Sequence, residues 1–265
     1  MSGFDPSWLA LREPYDHAVR DVDLTEAFAV ALGPSPRLID LGCGTGSNLR
    51  FLAPYLPPTQ SWLCIDHDPV LLEQLEATKP EGVAVETRCM DLAARLDELP
   101  IEPGVGVTAA ALLDLTSQSW LDQITERCRD VPVLMTLSVD GRMTWEPAHS
   151  LDEPIDAAFW RHQKMDKGFG PSSGGDASRY LGERLGALGH EVRFAKSDWV
   201  FSAEDRAILA PLLQGIAGAA IEVVSAREFG ENLPIKSWLD HRLEDVRMGR
   251  LTMTVGHADL LGLPG

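Results

Sequence analysis

The chain has 265 residues and a mass of 28.9 kDa, which is long enough to bury a sizeable core in one large domain or two small ones. Its 45% hydrophobic and 24% charged residues are ordinary for a globular protein and argue against a disordered or fibrous chain. The 23 basic and 40 acidic residues give a net charge of −17. This charge disfavours nucleic acid and anionic membrane surfaces as partners, because both are bound largely through Lys and Arg.

Cysteine usage and the first residues indicate a cytoplasmic protein. The four cysteines include no CxxC pair and are too few for a disulfide scaffold. The first residues, MSGFDPSWLALREP, carry acids and a proline where a signal peptide needs a basic and then an apolar run. We find no uninterrupted apolar run of the ~18 residues that a membrane span needs, so no attachment to a membrane is expected.

The first predicted element is an N-terminal helical cap over residues 1–36. Helical periodicity across 5–32 is interrupted at Pro14, and the segment ends at the turn sequence 33–36. After it, short apolar runs alternate with helical stretches as far as residue 139. The predicted strands are 37–41, 61–65, 83–90, 105–111 and 131–139, and the predicted helices are 48–55, 70–77 and 117–128. Such alternation predicts βαβ units and a parallel sheet.

The second half of the chain departs from this rhythm twice. An irregular segment at about 140–175 and a helical segment at about 203–234 are predicted insertions. Around them we predict a helix at 177–188, a strand at 191–201, a helix at 235–248 and a last strand at 250–256. Because the chain returns to strand structure at its end, we expect residues 37–265 to form one elaborated domain.

The most informative stretch is a glycine-rich turn, LGCGTGSN, between the first strand and the next helix. Glycines let the backbone adopt positive φ and let a ligand approach the main-chain N–H groups. Here they stand at Gly42, Gly44 and Gly46. The dinucleotide fingerprint GxGxxG would place its third glycine at position 47, which is Ser47. An NAD-dependent oxidoreductase is therefore the weaker alternative.

Two further strands end in an acidic residue. Asp66 closes the second strand, twenty residues after Gly46, and an acid there can accept hydrogen bonds from two ribose hydroxyls. Asp91 follows the third strand and can accept a hydrogen bond from an exocyclic amine such as that of adenine. Its neighbours Met90 and Leu92 offer apolar surface to the face of a base. All three strand ends lie at one edge of the predicted sheet, where open α/β folds bind ligands.

The succession DLGCGTG, CIDHDP, MDL and AALLDL, over roughly residues 37–140, resembles the class I SAM-dependent methyltransferases. The resemblance implies an α/β fold with a Rossmann-like seven-stranded sheet, mostly parallel with an antiparallel last strand, and helices on both faces. It also implies S-adenosylmethionine as the cofactor and transfer of its methyl group. The residues carried over are Asp40, Gly42, Gly44 and Gly46 around the methionine part, Asp66 at the ribose, and Asp91 with Leu92 at the adenine.

The acceptor side is less defined. Asp114 follows the fourth strand but lacks the (Asn/Asp)-Pro-Pro-aromatic signature of amide and exocyclic-amine methylation. The segment 142–170 is a predicted lid that carries His149 and His162 as candidate bases. In the N-terminal cap, Arg12 is the natural partner for the cofactor carboxylate.

These features predict methyl transfer to an unidentified small molecule by in-line displacement from the sulfonium. Two alternatives stay open: a methyltransferase acting on protein or RNA, and a catalytically inactive protein that binds the cofactor. The dispersed histidines lack HxxxH or HExxH spacing, so no metal site is predicted. The motif GxSxG is absent, which disfavours a serine hydrolase. The sequence does not indicate an oligomeric state.

Overall fold

This computed structural model describes residues 5–225 and 233–265. Within them, nine α-helices and eight strands alternate as a predominantly α/β chain. The helices are α1 Pro6–Val19, α2 Val22–Leu32, α3 Ser47–Leu52, α4 Pro69–Thr78, α5 Gln118–Arg127, α6 Asp152–Gln163, α7 Ala177–Ala187, α8 Arg206–Ser225 and α9 Ile235–Arg247. The strands are β1 Arg37–Leu41, β2 Ser61–Asp66, β3 Ala84–Cys89, β4 Val105–Ala110, β5 Val133–Glu146, β6 Glu191–Lys196, β7 Trp199–Phe201 and β8 Thr252–Leu263.

The strands form one sheet in the order β3-β2-β1-β4-β5-β8-β6, with β7 also paired to β8. The first five strands in this order run parallel, and β8 runs antiparallel to β5, β6 and β7. The order reverses between β1 and β4, which is where open α/β sheets bind their ligands. The mostly parallel sheet with an antiparallel last strand is confirmed.

The sheet has eight strands rather than seven, because the strand predicted over 191–201 is divided. The main chain leaves the sheet at Ser197, whose hydroxyl donates to Oδ1 of the buried Asp259. Strand β6 pairs with the second half of β8 and β7 pairs with its first half. Serving both partners requires a long strand, so β8 covers Thr252–Leu263 instead of the predicted 250–256.

Two other boundaries differ from the predictions. The N-terminal segment is two helices: Pro14 lies inside α1, and the break comes at Arg20, which has an extended backbone. Asp21 then begins α2 by accepting a hydrogen bond from the Leu24 amide. Strand β5 continues to Glu146 through pairing with β8, so the first part of the predicted insertion is strand. Of the second predicted insertion, residues 226–232 lie outside the described residues.

Buried side chains form three clusters. One lies between the sheet and α5 with α7, and a second lies on the opposite face against α2, α3 and α4. The third packs α6, α8 and α9 against β7 and the outer part of β8, around the fully buried Trp238. The sheet therefore has helices on both faces, and the third cluster supports the helices that follow β5.

Helix α8 is long and apolar enough to cross a membrane by length and composition alone, with a mean hydropathy of 1.8. The search for an uninterrupted apolar run overlooked it, because Gln214 and Glu222 interrupt the sequence. In the fold, 44% of this stretch is buried, and Ile208, Leu213 and Ile216 pack in the third cluster. A core helix of a folded protein passes the same test.

Candidate functional site

The turn between β1 and α3 has the left-handed backbone that its glycines predict. Gly42, Gly44 and Gly46 have φ of 63°, 52° and 88°. At Gly46 the requirement is steric as well, because a Cβ there would lie 2.8 Å from Cγ of the buried Leu75. Glycine at this position lets the turn lie close against α4 and enter α3 directly.

Asp66 connects this turn to the end of β2. Its Oδ2 accepts a hydrogen bond from the Gly44 amide at 2.9 Å, and its Oδ1 accepts one from the Asp68 amide at 3.0 Å. The side chain is buried, with the residue 6% exposed. Two backbone donors fix its orientation, and each carboxylate oxygen keeps further lone pairs with which to accept from a ligand.

Asp91 lies one strand further out, after β3, and is exposed. Its Oδ1 accepts from the Ala93 amide at 2.9 Å. The flanking Met90 and Leu92 are buried, so an apolar surface lies beside an accessible carboxylate. This combination suits a flat heteroaromatic ring that carries an amine.

The turn, the two acids and α1 surround one cleft that encloses about 1160 Å³, including its open mouth. Of the sequence-predicted cofactor residues, the structure brings six to its walls: Arg12, Gly42, Gly44, Asp66, Asp91 and Leu92. Two others are not lining residues. Gly46 lies under the turn, and Asp40 is fully buried on β1.

Behind the turn, Asp40 belongs to a buried polar chain that the sequence did not reveal. Its Oδ1 accepts from Asn48 Nδ2 at 2.8 Å, and Asn48 Oδ1 accepts from Arg20 Nη1 at 3.1 Å. Asn48 and Arg20 line the cleft. Arg20 follows Arg12 and Asp16 at four-residue spacing along and just beyond α1, and this helical spacing is the signal that would have identified it.

This chain contains polar atoms without partners among the described residues. Oδ2 of Asp40 and both Nε and Nη2 of Arg20 are buried and make no hydrogen bond. Burial raises the pKa of Asp40 to about 7, although the Asn48 hydrogen bond and the Arg20 charge act to lower it. Burial likewise lowers the pKa of Arg20, against the opposing charges of Asp259 and Asp40. Unpaired buried donors and acceptors are costly, and they are typical of a site that binds a polar ligand.

Arg12, predicted to bind the cofactor carboxylate, lies on the cleft wall and pairs with an acid of its own helix. Its Nε and Nη2 donate to the two carboxylate oxygens of Asp16 at 2.8 and 3.1 Å, and its guanidinium lies 4.8 Å from the Trp199 ring centroid. Asp16 also accepts from Trp199 Nε1 at 3.1 Å. The role of Arg12 at the cofactor stays a prediction, and Arg20 is a second guanidinium on the same wall.

The carboxyl ends of β4 and β5 carry backbone strain beside the cleft. Ala111 and Leu137 have φ of 52° and 56°, which is rare for residues with a Cβ. The Ala111 amide donates to Thr136 O, and the Leu137 amide donates to Oδ1 of Asp259. Both residues line the cleft. Strain of roughly 1–3 kcal/mol per residue persists only where surrounding structure enforces it, and it occurs mainly at functional sites.

None of the three predicted acceptor-side candidates lines the cleft. Asp114 is buried after β4 with Oδ1 unpartnered among the described residues, and burial raises its pKa to about 6. His149 accepts from the Leu151 amide and stacks on His241 with ring centroids 4.6 Å apart. His162 lies on α6 and contacts Glu222. Their roles in catalysis stay predictions.

The residues that do reach the cleft from the predicted lid are Lys167 and Phe169. Phe169 packs edge-on against Trp120 with ring centroids 5.4 Å apart, which fixes this loop on α5. Lys167 Nζ lies 3.1 Å from Nδ1 of His162. Both residues belong to the lid predicted over 142–170, together with His149 and His162. Only the fold shows which of these side chains reach the cleft.

The 5–225 and 233–265 ranges contain no group of three or more His, Cys, Asp or Glu side chains that could hold a metal ion. The cysteines of these ranges are unpaired; Cys43 lines the cleft, and burial together with contact with the Cys64 thiol raises its pKa. The polar side chains that line the cleft are carboxylates, two guanidinium groups and one lysine, together with the Asn48 amide, the Thr45 and Ser47 hydroxyls and the His67 imidazole. This set suits an organic ligand with charged and hydrogen-bonding parts.

Comparison with known proteins identifies the class of domain that carries this site. Residues 38–132 match the family model described as a methyltransferase domain. This segment runs from β1 to the start of β5 and includes the glycine turn, Asp66 and Asp91. The resemblance read from the sequence is thereby confirmed, and S-adenosylmethionine is the cofactor of this family.

Solved structures support the same fold. A cyclopropane-fatty-acyl-phospholipid synthase-like protein from Lactobacillus casei aligns with a TM-score of 0.55 at 15% identity, over 98% of this chain and 95% of that one. A cyclopropane synthase from Mycobacterium tuberculosis aligns with a TM-score of 0.51 at 12% identity, over 98% and 94%. The YcgJ protein from Bacillus subtilis aligns with a TM-score of 0.51 at 10% identity, over 92% and 100%. No curated protein matches the sequence.

Proposed function

We propose that this protein transfers a methyl group from S-adenosylmethionine to a small-molecule acceptor. The observation that carries the proposal is the convergence of three strand ends on one cleft. The turn after β1, Asp66 after β2 and Asp91 after β3 line the same space, and the Gly44 amide binds Asp66 directly. This arrangement matches the chemistry of a nucleoside joined to an amino acid.

The unpartnered polar atoms fit the amino-acid end of this cofactor. A carboxylate there would complement Nη2 of Arg20, a buried donor of a cleft-lining residue that makes no hydrogen bond. Asp40 lies behind the cleft wall and orients Asn48, which lines it. Asn48 holds both side chains by hydrogen bonds, so they keep their relative position without a ligand. Such preorganisation lowers the cost of binding.

The remaining polar residues fit the nucleoside end. Asp66 accepts from ribose hydroxyls while its two main-chain contacts hold it in place. Asp91 accepts from the exocyclic amine of the base, and the buried Met90 and Leu92 provide the surface on which the ring packs. When bound, S-adenosylmethionine supplies an electrophilic methyl group on a sulfonium, so the protein's part is to align an acceptor and exclude water.

The acceptor side of the cleft is mainly apolar. Leu112, Leu115, Leu137 and Phe169 line it together with Ala110 and Ala111. Apolar walls favour an acceptor with an apolar body that enters the cleft, and the net charge of −17 disfavours a nucleic acid. These two observations support a small molecule over RNA. A protein acceptor remains the alternative that an experiment must distinguish.

Incubation with isotopically labelled methyl donor and a cell extract, followed by separation by size, tests the proposal. We expect label in the small-molecule fraction with wild-type protein and a strong loss of label with Asp66→Ala. Asp68→Ala is the matched control, since Asp68 caps α4 two residues away and does not line the cleft. Label in macromolecules would assign the alternative acceptor class, and no label with bound cofactor would identify an inactive binding protein.

A further inference from the structure

Lys167 is an unusual residue in the acceptor half of the cleft. Three strongly basic side chains line the cleft: Arg12, Arg20 and Lys167. Arg12 is paired with Asp16, and Arg20 lies at the end of the cleft that Asp40 and Asn48 define. Lys167 alone among them comes from the loop after α6, next to Phe169.

The ammonium of Lys167 forms no ion pair with a carboxylate anywhere in the two described ranges. Its hydrogen-bond partner is the ring of His162, with Nζ–N distances of 3.1 and 3.2 Å. His162 in turn lies 3.0 Å from Glu222, whose side chain is 68% exposed. The His162 ring therefore lies between the ammonium and Glu222, the acid whose charge acts on it.

Burial without an adjacent acid disfavours the charged form of this side chain. The pKa of Lys167 is lowered by its partial burial, and the charge of Glu222 only partly compensates. An anion in the cleft would supply the missing negative charge. Because the protein as a whole carries −17, an anion binds only where a local cation overcomes the repulsion.

We infer that the methyl acceptor is an amphiphilic oxyanion, a carboxylate or phosphate with an apolar body, whose charged group binds Lys167. This inference rests on the proposed function and names its substrate class. The apolar body would pack on Leu112, Leu115, Leu137 and Phe169, and the oxyanion would accept from Nζ of Lys167. His162 and Glu222 hold the lysine side chain and act as positioning residues.

The test uses four probes of one chain length on protein saturated with S-adenosylhomocysteine. The probes are hexanoate, hexyl phosphate, neutral hexanamide and hexylammonium, and binding is followed by calorimetry. We expect at least one of the two oxyanions to bind at least tenfold more tightly than both hexanamide and hexylammonium. The relative affinities of hexanoate and hexyl phosphate distinguish a carboxylate from a phosphate substrate.

Variants assign the preference to the lysine. Lys167→Met should abolish the preference for oxyanions, whereas Lys167→Arg should keep affinity within about threefold. Lys164→Met is the matched control, because Lys164 lies in the same loop, is exposed and does not line the cleft. Thermal melts of each variant check that the fold is retained.

Equal binding of hexanamide and the oxyanions, no binding of any probe, or an unchanged preference in Lys167→Met would overturn the inference while leaving the proposed function intact. Failure of S-adenosylhomocysteine itself to bind would instead contradict the proposed function, and the inference with it. If Lys167→Arg lost the preference for oxyanions as completely as Lys167→Met, the inference would also be overturned. Such a result would show that the site requires a proton-accepting amine rather than a cation.

Discussion

The Gly44 amide and the Asp66 carboxylate are joined by a hydrogen bond of 2.9 Å, so the turn after β1 and the end of β2 form one wall of the cleft. The turn leaves this amide free for Asp66 because Gly44 has a left-handed backbone. Asp66 therefore affects cofactor affinity in two ways, by contacting the cofactor and by holding the neighbouring turn. Substitution of Asp66 should weaken cofactor binding more than substitution of an acid that holds no neighbouring loop.

Asp91→Ala should weaken S-adenosylhomocysteine binding less than Asp66→Ala does. Asp91 is exposed and its carboxylate accepts from the Ala93 amide, so water competes for its hydrogen bond with a ligand. We expect a loss of about 1 kcal/mol, or roughly fivefold in Kd. Titration calorimetry on both variants shows which of them loses more affinity for S-adenosylhomocysteine. A larger loss in Asp91→Ala would contradict the assignment of the buried acid to the ribose.

Gly46→Ala should destabilise the fold by about 2–4 kcal/mol. The new Cβ adds left-handed backbone strain and contacts the buried Leu75 at 2.8 Å. Gly189→Ala is the matched control, because Gly189 has φ of 95° at the end of α7 and open space around it, so it should lose only about 1–2 kcal/mol of strain energy. Urea unfolding gives both values, and equal losses would refute the steric part of the argument.

Asp40 should make stability depend on pH. Its folded pKa of about 7 lies above the ordinary value of ~3.9, so the folded state binds an extra proton between these values. This contribution to the free energy of unfolding is complete below pH ~4 and is lost as pH rises towards 7. Asp40→Asn cannot ionise and should lose less stability than wild type between pH 4 and 8.

Unfolding in urea at several pH values checks this expectation. Burial also raises the pKa values of Asp114 and Asp156, to about 6 and about 7. Because these two acids still titrate in Asp40→Asn, the variant should keep part of the dependence of its free energy of unfolding on pH. Identical pH profiles for wild type and Asp40→Asn would show that Asp40 is ionised throughout this range.

Arg242→Met should destabilise the protein by about 3–5 kcal/mol. The Arg242 side chain is fully buried and binds Asp152 on α6 and Asp245 on α9. Its removal leaves the buried Asp152 without its cation, the costly case for a buried ion pair, whereas Asp245 keeps its pair with Arg250. Arg247→Met, at the exposed pair with Glu244, should cost about 0–1 kcal/mol. Denaturant unfolding compares the two, and a small loss at Arg242 would contradict this account of the third cluster.

The cofactor half of the site was predictable because its signals are local. A glycine turn must follow its own strand, and Asp66 and Asp91 each close the strand that precedes them, so the parallel sheet alone brings them to one edge. The parallel part of the sheet followed from the alternation of strands and helices, whereas the antiparallel last strand was implied by the family resemblance. Gly46 and Asp40 show the limit of this reasoning, since their places are in the sequence motif but not on the cleft wall.

The features that the sequence did not predict depend on contacts between segments that are far apart in the chain. Arg20 was not predicted, because it joins the site only where the end of α1 lies beside Asn48 in the fold. The left-handed backbone at Ala111 and Leu137 has no sequence signal, because neighbouring strands and Asp259 enforce it. Similarly, the division of one predicted strand into β6 and β7 follows from the length of β8.

Calorimetric titration of S-adenosylhomocysteine into wild-type protein and Asp66→Ala tests the central claim most directly. We predict saturable binding to wild type with Kd below ~1 mM, about −4 kcal/mol or more favourable, and a loss of roughly 1.5–3 kcal/mol in the variant. Absence of saturable binding to wild type, or equal affinity of the two proteins, would contradict the account.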